Sequence, residues 1–391
     1  MSGRTWPAEG RTFRDETTGR SVRQLTSVGH NVHLYFTDNA FNRDGDGIIF
    51  LSDRAEAERR PAHLAHYNLF HLDLRSGLIT QLTNEITPVR KATKTPDGSR
   101  IAYVAGAEVK LLDMRTGTIT LLHVERDGFT LGRPSISADG RFVGFDRNEP
   151  SAIHGPNYSG FKERYYEIKD GRITLAYIDG SSSFDLFRDT CQLAHFQFSP
   201  VNPTLAMFCH EGPWHLVTQR IWLLDTVSRS IRPAFRQSET DSVGHEFWTL
   251  DGAVFFDNRG PGHDGTITSE RTQAVASQIG FHEHGAFQPY VGLLDERGEL
   301  LRRYSMPIAC NHYHAGPNQT LLVGDDIDAI LLIDLAAEPA HATPLCYHGT
   351  SWHSQETHCH PTWSWNGRQI LFASDSTGLV QLYLLDLEES L

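Results

Sequence analysis

Short apolar runs bounded by Gly, Asp, Asn or Ser recur along this chain at intervals of roughly 40 to 60 residues, with no long stretch of helical periodicity between them. The clearest copy starts at the Asp97-Gly98 turn. It continues through Arg100-Ile101-Ala102-Tyr103, then Val109-Lys110-Leu111-Leu112-Asp113, a Thr116-Gly117 turn, and Ile119-Thr120-Leu121-Leu122. Turn, strand, strand ending in Leu-Asp, turn, strand: the same order is found elsewhere. An earlier copy reads Asp44-Gly45, Ile48 to Asp53, Leu69 to Leu74, Ser76-Gly77 and Ile79 to Thr83. Later ones are marked by Asp139-Gly140, Ser199-Pro200 with Ile221 to Asp225, Asp251-Gly252 with Tyr290 to Asp295, Thr320 to Asp325 with Ile330 to Asp334, and Asn366-Gly367 with Gln381 to Asp386. Seven such units, each a set of short strands joined by turn residues, predict an all-β chain folded as a seven-bladed β-propeller.

The two ends sharpen that expectation. The last unit stops at Leu385-Asp386-Leu387, before its Thr-Gly turn and final strand. The missing piece stands at the other end, as Thr18-Gly19-Arg20-Ser21-Val22-Arg23-Gln24-Leu25-Thr26. A closing strand over 18–26 would complete the last blade and leave no open edge in the ring. A two-sheet sandwich or a pair of domains gives no reason for such a displacement. The whole of 1–391 is therefore expected to be one propeller domain. Two stretches exceed what a turn needs, about 147–170 (with His154, Tyr158, Lys162, Arg164, Tyr165 and Tyr166) and about 258–288. Long loops on one face of a repeat array commonly line a binding site.

Composition narrows the partners. Acidic residues outnumber basic ones, 48 to 35, for a net charge of −13, which argues against nucleic-acid binding and requires a local cationic site for any anionic ligand. The hydrophobic share, 39%, contains no run long enough to span a membrane. The amino terminus lacks the apolar core of a signal peptide, and the five cysteines are an odd number without Cys-x-x-Cys spacing. Both features suggest a cytoplasmic protein with reduced thiols.

Candidate chemistry gathers in the second half. His358 and His360 stand two apart in Gln355-Glu356-Thr357-His358-Cys359-His360-Pro361, so in an extended segment both rings project from one face and can share a divalent cation. Gln355 is close enough to add an oxygen. Three further histidine-bearing segments precede or follow strands: Cys209-His210-Glu211-Gly212-Pro213 with Arg220 downstream, Gly244-His245-Glu246-Phe247-Trp248, and Cys310-Asn311-His312. They belong to successive repeats, so only ring closure would unite them. Taken singly, each histidine is as well explained by packing; as a set they favour a site.

These segments resemble the oligogalacturonate lyases, pectin-degrading enzymes of the seven-bladed propeller type, over nearly the whole chain and most strongly from Phe208 to Asp375. The resemblance implies a Mn²⁺ held by His312, Gln355, His358 and His360, with His245 as the base and Arg220 gripping a substrate carboxylate. It makes His210 a further substrate-binding residue. Two departures leave matters open. The segment before Gln355 is short and carries His353, an alternative fourth ligand, and Cys359 stands where the family usually has proline. The ligand set also suits Zn²⁺ or Fe²⁺. The implied reaction is β-elimination on short oligogalacturonides. A same-fold lyase on another uronate and a non-catalytic binding propeller remain as alternatives. Protonation of the leaving group has no owner at this stage: His210, Tyr165 and water are candidates.

Overall fold

In the computed structural model, which describes residues 3–153, 158–282 and 287–387, seven antiparallel sheets of four or five strands form the blades of a ring. The first strands of the blades, Asn31–His33, Val89–Lys94, Ser135–Ile136, Leu193–Phe198, Val243–Trp248, Tyr313–Ala315 and Thr362–Trp363, line the central channel. Middle strands are sandwiched between neighbouring blades. Gly47–Ser52, for example, is buried at every position, so its sequence reads as a continuous apolar run rather than an alternation. The outermost strand Leu300–Ser305 is mostly exposed and carries Arg302 and Arg303.

The recurring Leu-Asp followed by Thr-Gly or Ser-Gly has a local cause. Asp73, Asp113 and Asp225 each accept hydrogen bonds at one carboxylate oxygen from backbone N–H groups two and three residues on. Those bonds hold each carboxyl below its ordinary range. Gly77 and Gly117 then take φ of 74° and 73°, where a side chain would be strained. Asp15 makes the same bonds to Thr17 and Thr18 ahead of Gly19, so the displaced N-terminal turn is built like the others.

The strand after that turn, Ser21–Gln24, pairs antiparallel with Gln381–Asp386 and closes the last blade, as the repeat predicts. Two additions were not legible in the sequence. Arg11–Arg14 extends the same blade beyond the closing strand, and Thr5–Trp6 pairs with Ile79–Gln81 at the edge of the first blade. The two long stretches hold the helices Phe161–Glu167 and Arg271–His282. His154 lies outside the described residues. No helix among the described residues is long and apolar enough to cross a membrane.

Candidate active site

The histidine segments converge at the mouth of the channel where the chain enters the innermost strands. His312 precedes Tyr313–Ala315, and His358 and His360 precede Thr362–Trp363. Their rings lie 4.2 Å (His312 to His360), 5.4 Å (His312 to His358) and 5.5 Å (His358 to His360) apart between centres. One nitrogen of each falls within 4.8 Å of the others. His312 is oriented by Asp325, whose carboxylate meets its Nδ1 at 3.0 Å and accepts its backbone N–H at 2.6 Å. Both ring nitrogens of His358 and Nε2 of His360 are buried without a hydrogen-bond partner. Buried polar atoms normally find partners, so convergent unpartnered nitrogens fit a cation-binding site. Burial, then the neighbouring imidazoles, holds His358 and His360 well below the usual histidine range, as neutral ligands require. His360 adopts φ of 44°, a left-handed conformation uncommon outside glycine.

His245 stands beside this trio, 4.9 Å from His312 between ring centres. Phe36 forms a shared floor, 5.2 Å from His245, 5.4 Å from His312 and 6.2 Å from His360. Trp214 meets His245 edge-on at 5.3 Å. Gly244 permits this: a Cβ there would sit 1.9 Å from the indole. Burial first, and then His312 and Arg259, push the His245 pKa well below its ordinary value, so the ring is neutral with Nδ1 unpartnered.

A charged network adjoins it. The two terminal nitrogens of Arg220 bind the two carboxylate oxygens of Glu211 at 3.2 and 3.3 Å, and its Nε lies 3.7 Å from Glu246. Glu246 in turn meets Nδ1 of His195 at 2.9 Å. Arg220 is only 1% exposed, so its fork is already occupied and covered. Arg259, held by Asp257 at 2.9 Å, lies over the ring of the same Trp214, 5.0 Å from its centre.

A family model for oligogalacturonate lyases matches residues 1–258. The chain belongs to the oligogalacturonate lyase family. The matched part includes Arg220 and His245 and ends before His312. A curated relative, the oligogalacturonide lyase of Pectobacterium atrosepticum, is 24% identical, with 99% of this chain and 98% of that one covered. Among solved structures, an oligogalacturonate lyase in complex with manganese is 24% identical with a TM-score of 0.82, covering 99% of this chain and 98% of that one. One from Vibrio parahaemolyticus is 22% identical with a TM-score of 0.83, and each chain is covered in full. The structural likeness bears on the fold.

Not every residue implied by the family resemblance sits with the trio. His210 projects from the sheet face opposite Cys209. It pairs with Asp189 at 3.2 Å and packs on Trp222, while Cys209 faces His195 and Glu246. Gln355 opens a single helical turn, Gln355–Thr357, and is exposed, and its amide hydrogen-bonds the Tyr158 hydroxyl from the first long loop. His353 is exposed. Tyr165 donates its hydroxyl to Leu216 O at 3.0 Å. The sequence singled out none of Phe36, His195 and Tyr35, the last of which lies 4.8 Å from His360. At the other mouth a cavity of about 260 Å³ lies under Lys94, Trp248 and Trp363, and no expected site residue lines it.

Proposed function

We propose that the protein cleaves short oligogalacturonides by β-elimination, removing the C5 proton of a uronate and expelling the oxygen on C4. The observation that carries this reading is the neutral, buried His245 set against three convergent imidazoles, two of them with unpartnered nitrogens. The C5 proton is weakly acidic because the neighbouring carboxylate is already negative. Charge develops on that carboxylate as the proton leaves, and preorganised positive charge beside it is what lowers the barrier. A divalent cation, manganese by analogy with the solved relative, would be held by His312, His358 and His360, with Gln355 at the exposed side as the fourth ligand. When bound it supplies Lewis-acid stabilisation of that charge.

This chain's own residues do the rest. His245 accepts the proton, being unprotonated at neutral pH. Arg220 contributes positive charge next to the reacting carboxylate, and a direct clamp requires Glu211 to yield its place in the fork. His210, placed on Asp189, takes part only at the margin of the substrate. Five free cysteines accord with a cytoplasmic setting, where imported fragments would be the substrate.

The test is ultraviolet absorbance on mixing the protein with digalacturonate, with and without EDTA and added Mn²⁺. A metal-dependent rise reports the C4–C5 double bond conjugated to the carboxylate and supports the reading. No rise with metal bound means another uronate is the substrate. Absence of both metal and absorbance rise overturns the lyase reading in favour of a binding propeller.

A further inference from the structure

Elimination also needs an acid, because a sugar alkoxide is a poor leaving group. We propose that His195, oriented by Glu246, is the catalytic residue that protonates the departing C4 oxygen; the inference rests on the elimination reading above. Three observations point to it. His195 Nδ1 is fixed by the fully buried Glu246 carboxylate at 2.9 Å, which places the transferable proton of an imidazolium on Nε2. That Nε2 faces the Tyr35 hydroxyl at 3.4 Å, longer than a good hydrogen bond, and can turn to a ligand oxygen. The His195 side chain keeps 14% of its surface open, whereas Glu246 is sealed.

Geometry relative to the base agrees. The His195 and His245 rings are nearly parallel, 19° apart, with centres separated by 6.3 Å. A donor and an acceptor that each reach within about 3 Å of opposite ends of one H–C5–C4–O4 unit must stand on the order of 6 Å apart. His195 holds this position at φ of 53°, a strained conformation for a non-glycine residue and one that clusters at functional sites. Charge counting points the same way. Among the described residues Glu211 and Glu246 share one arginine, Arg220, and the imidazolium that the step requires at His195 supplies the second positive charge beside these two carboxylates. The other two side-chain candidates are engaged elsewhere: His210 with Asp189, and Tyr165 with Leu216.

The step balances. His245 takes the C5 proton and the C5–H electrons form the C4–C5 double bond. The C4–O bond breaks, and its oxygen takes the proton from His195 Nε2. One saccharide leaves with a new hydroxyl and the other carries the unsaturated uronate. Solvent then returns a proton to His195 and removes one from His245.

His195→Asn is the variant of choice, since asparagine tolerates a left-handed backbone. It is compared with His245→Ala and the unaltered protein, all with metal content measured, on two substrates. One is digalacturonate. The other is a methyl galacturonoside bearing fluorine at C4, whose fluoride leaves without a proton. His195→Asn is expected to slow digalacturonate cleavage by about 10² to 10⁴-fold yet stay within about tenfold on the fluoride, while His245→Ala fails on both. Glu246→Gln, altering the positioning residue, gives a smaller loss with the same selectivity. Equal loss on both substrates, or full activity on digalacturonate, overturns the assignment of His195. If the unaltered protein eliminates from neither substrate, the lyase reading itself falls, and this proposal with it.

Discussion

At the scale of the residue, His245 is the side chain whose chemistry and surroundings agree most closely. It is buried and neutral, and its Nδ1 is unpartnered. His245→Ala is therefore expected to keep fold and metal while turnover falls by at least about 10²-fold, read by absorbance kinetics beside metal analysis. Activity close to that of the unaltered protein would show that another group takes the C5 proton. His358→Ala makes the complementary case. It removes a ring with two unpartnered nitrogens, and bound metal should fall to background in a protein whose circular dichroism is unchanged. Full occupancy in that variant would overturn the ligand assignment. The paired histidines were legible from their spacing, although the backbone that brings them together is not the extended one expected, since His360 sits at φ of 44° in the segment that follows a helical turn. His195 was not. Its partner Glu246 belongs to the next blade, and nothing near Leu193-Ala194-His195 in sequence announces a carboxylate 2.9 Å away. The motif around His210 shows a related effect, since successive strand residues face opposite ways and Cys209 points to the network while His210 points to Asp189.

Among elements, the N-terminal strand carries the largest consequence for the smallest number of residues. Val22 is 1% exposed, pairs with Leu385, and joins the cluster formed by Tyr383, Trp363 and Ile370. Beyond it, Thr26 donates to Gln381 Oε1 at 2.7 Å, and Asn31 of the first blade donates to the same oxygen at 2.9 Å. The seam between first and last blades thus rests on one glutamine as well as on the ladder. Val22→Ala deletes two methyl groups from a closed interface and should lower stability by about 2 kcal/mol in urea unfolding. A change below about 0.5 kcal/mol would mean that the closing strand contributes little beyond its backbone bonds. This element could be read from the sequence because the Asp15 turn repeats the Asp73 and Asp113 turns atom for atom in its hydrogen bonds. The pairing of Thr5–Trp6 with the first blade could not, since a two-residue strand has no period to detect.

Over the whole molecule, closing the ring gathers buried imidazoles that cannot all be protonated, and this couples stability to pH. His33, from the first blade, is a useful probe because it is not among the expected metal ligands. Its Nε2 bonds the Cys359 carbonyl at 3.1 Å, and burial lowers its pKa from 6.5 to about 4. The depressed value fixes the sign. Above pH 6.5 the ring is neutral in folded and unfolded chains alike, and its contribution to stability is fully present. As pH falls from 6.5 towards 4 the unfolded chain takes up a proton that the folded one refuses, and stability is lost. At pH 5 the loss from this one group comes to about 2 kcal/mol, and to roughly 3 kcal/mol by pH 4. His33→Gln retains an amide that can reach Cys359 but does not titrate. Urea midpoints measured at pH 7 and pH 5, with EDTA present so that metal release does not contribute, should therefore differ less in the variant by about 2 kcal/mol. An identical pH dependence in the two proteins would mean that His33 becomes charged in the folded state, and that the channel mouth admits enough water to solvate it.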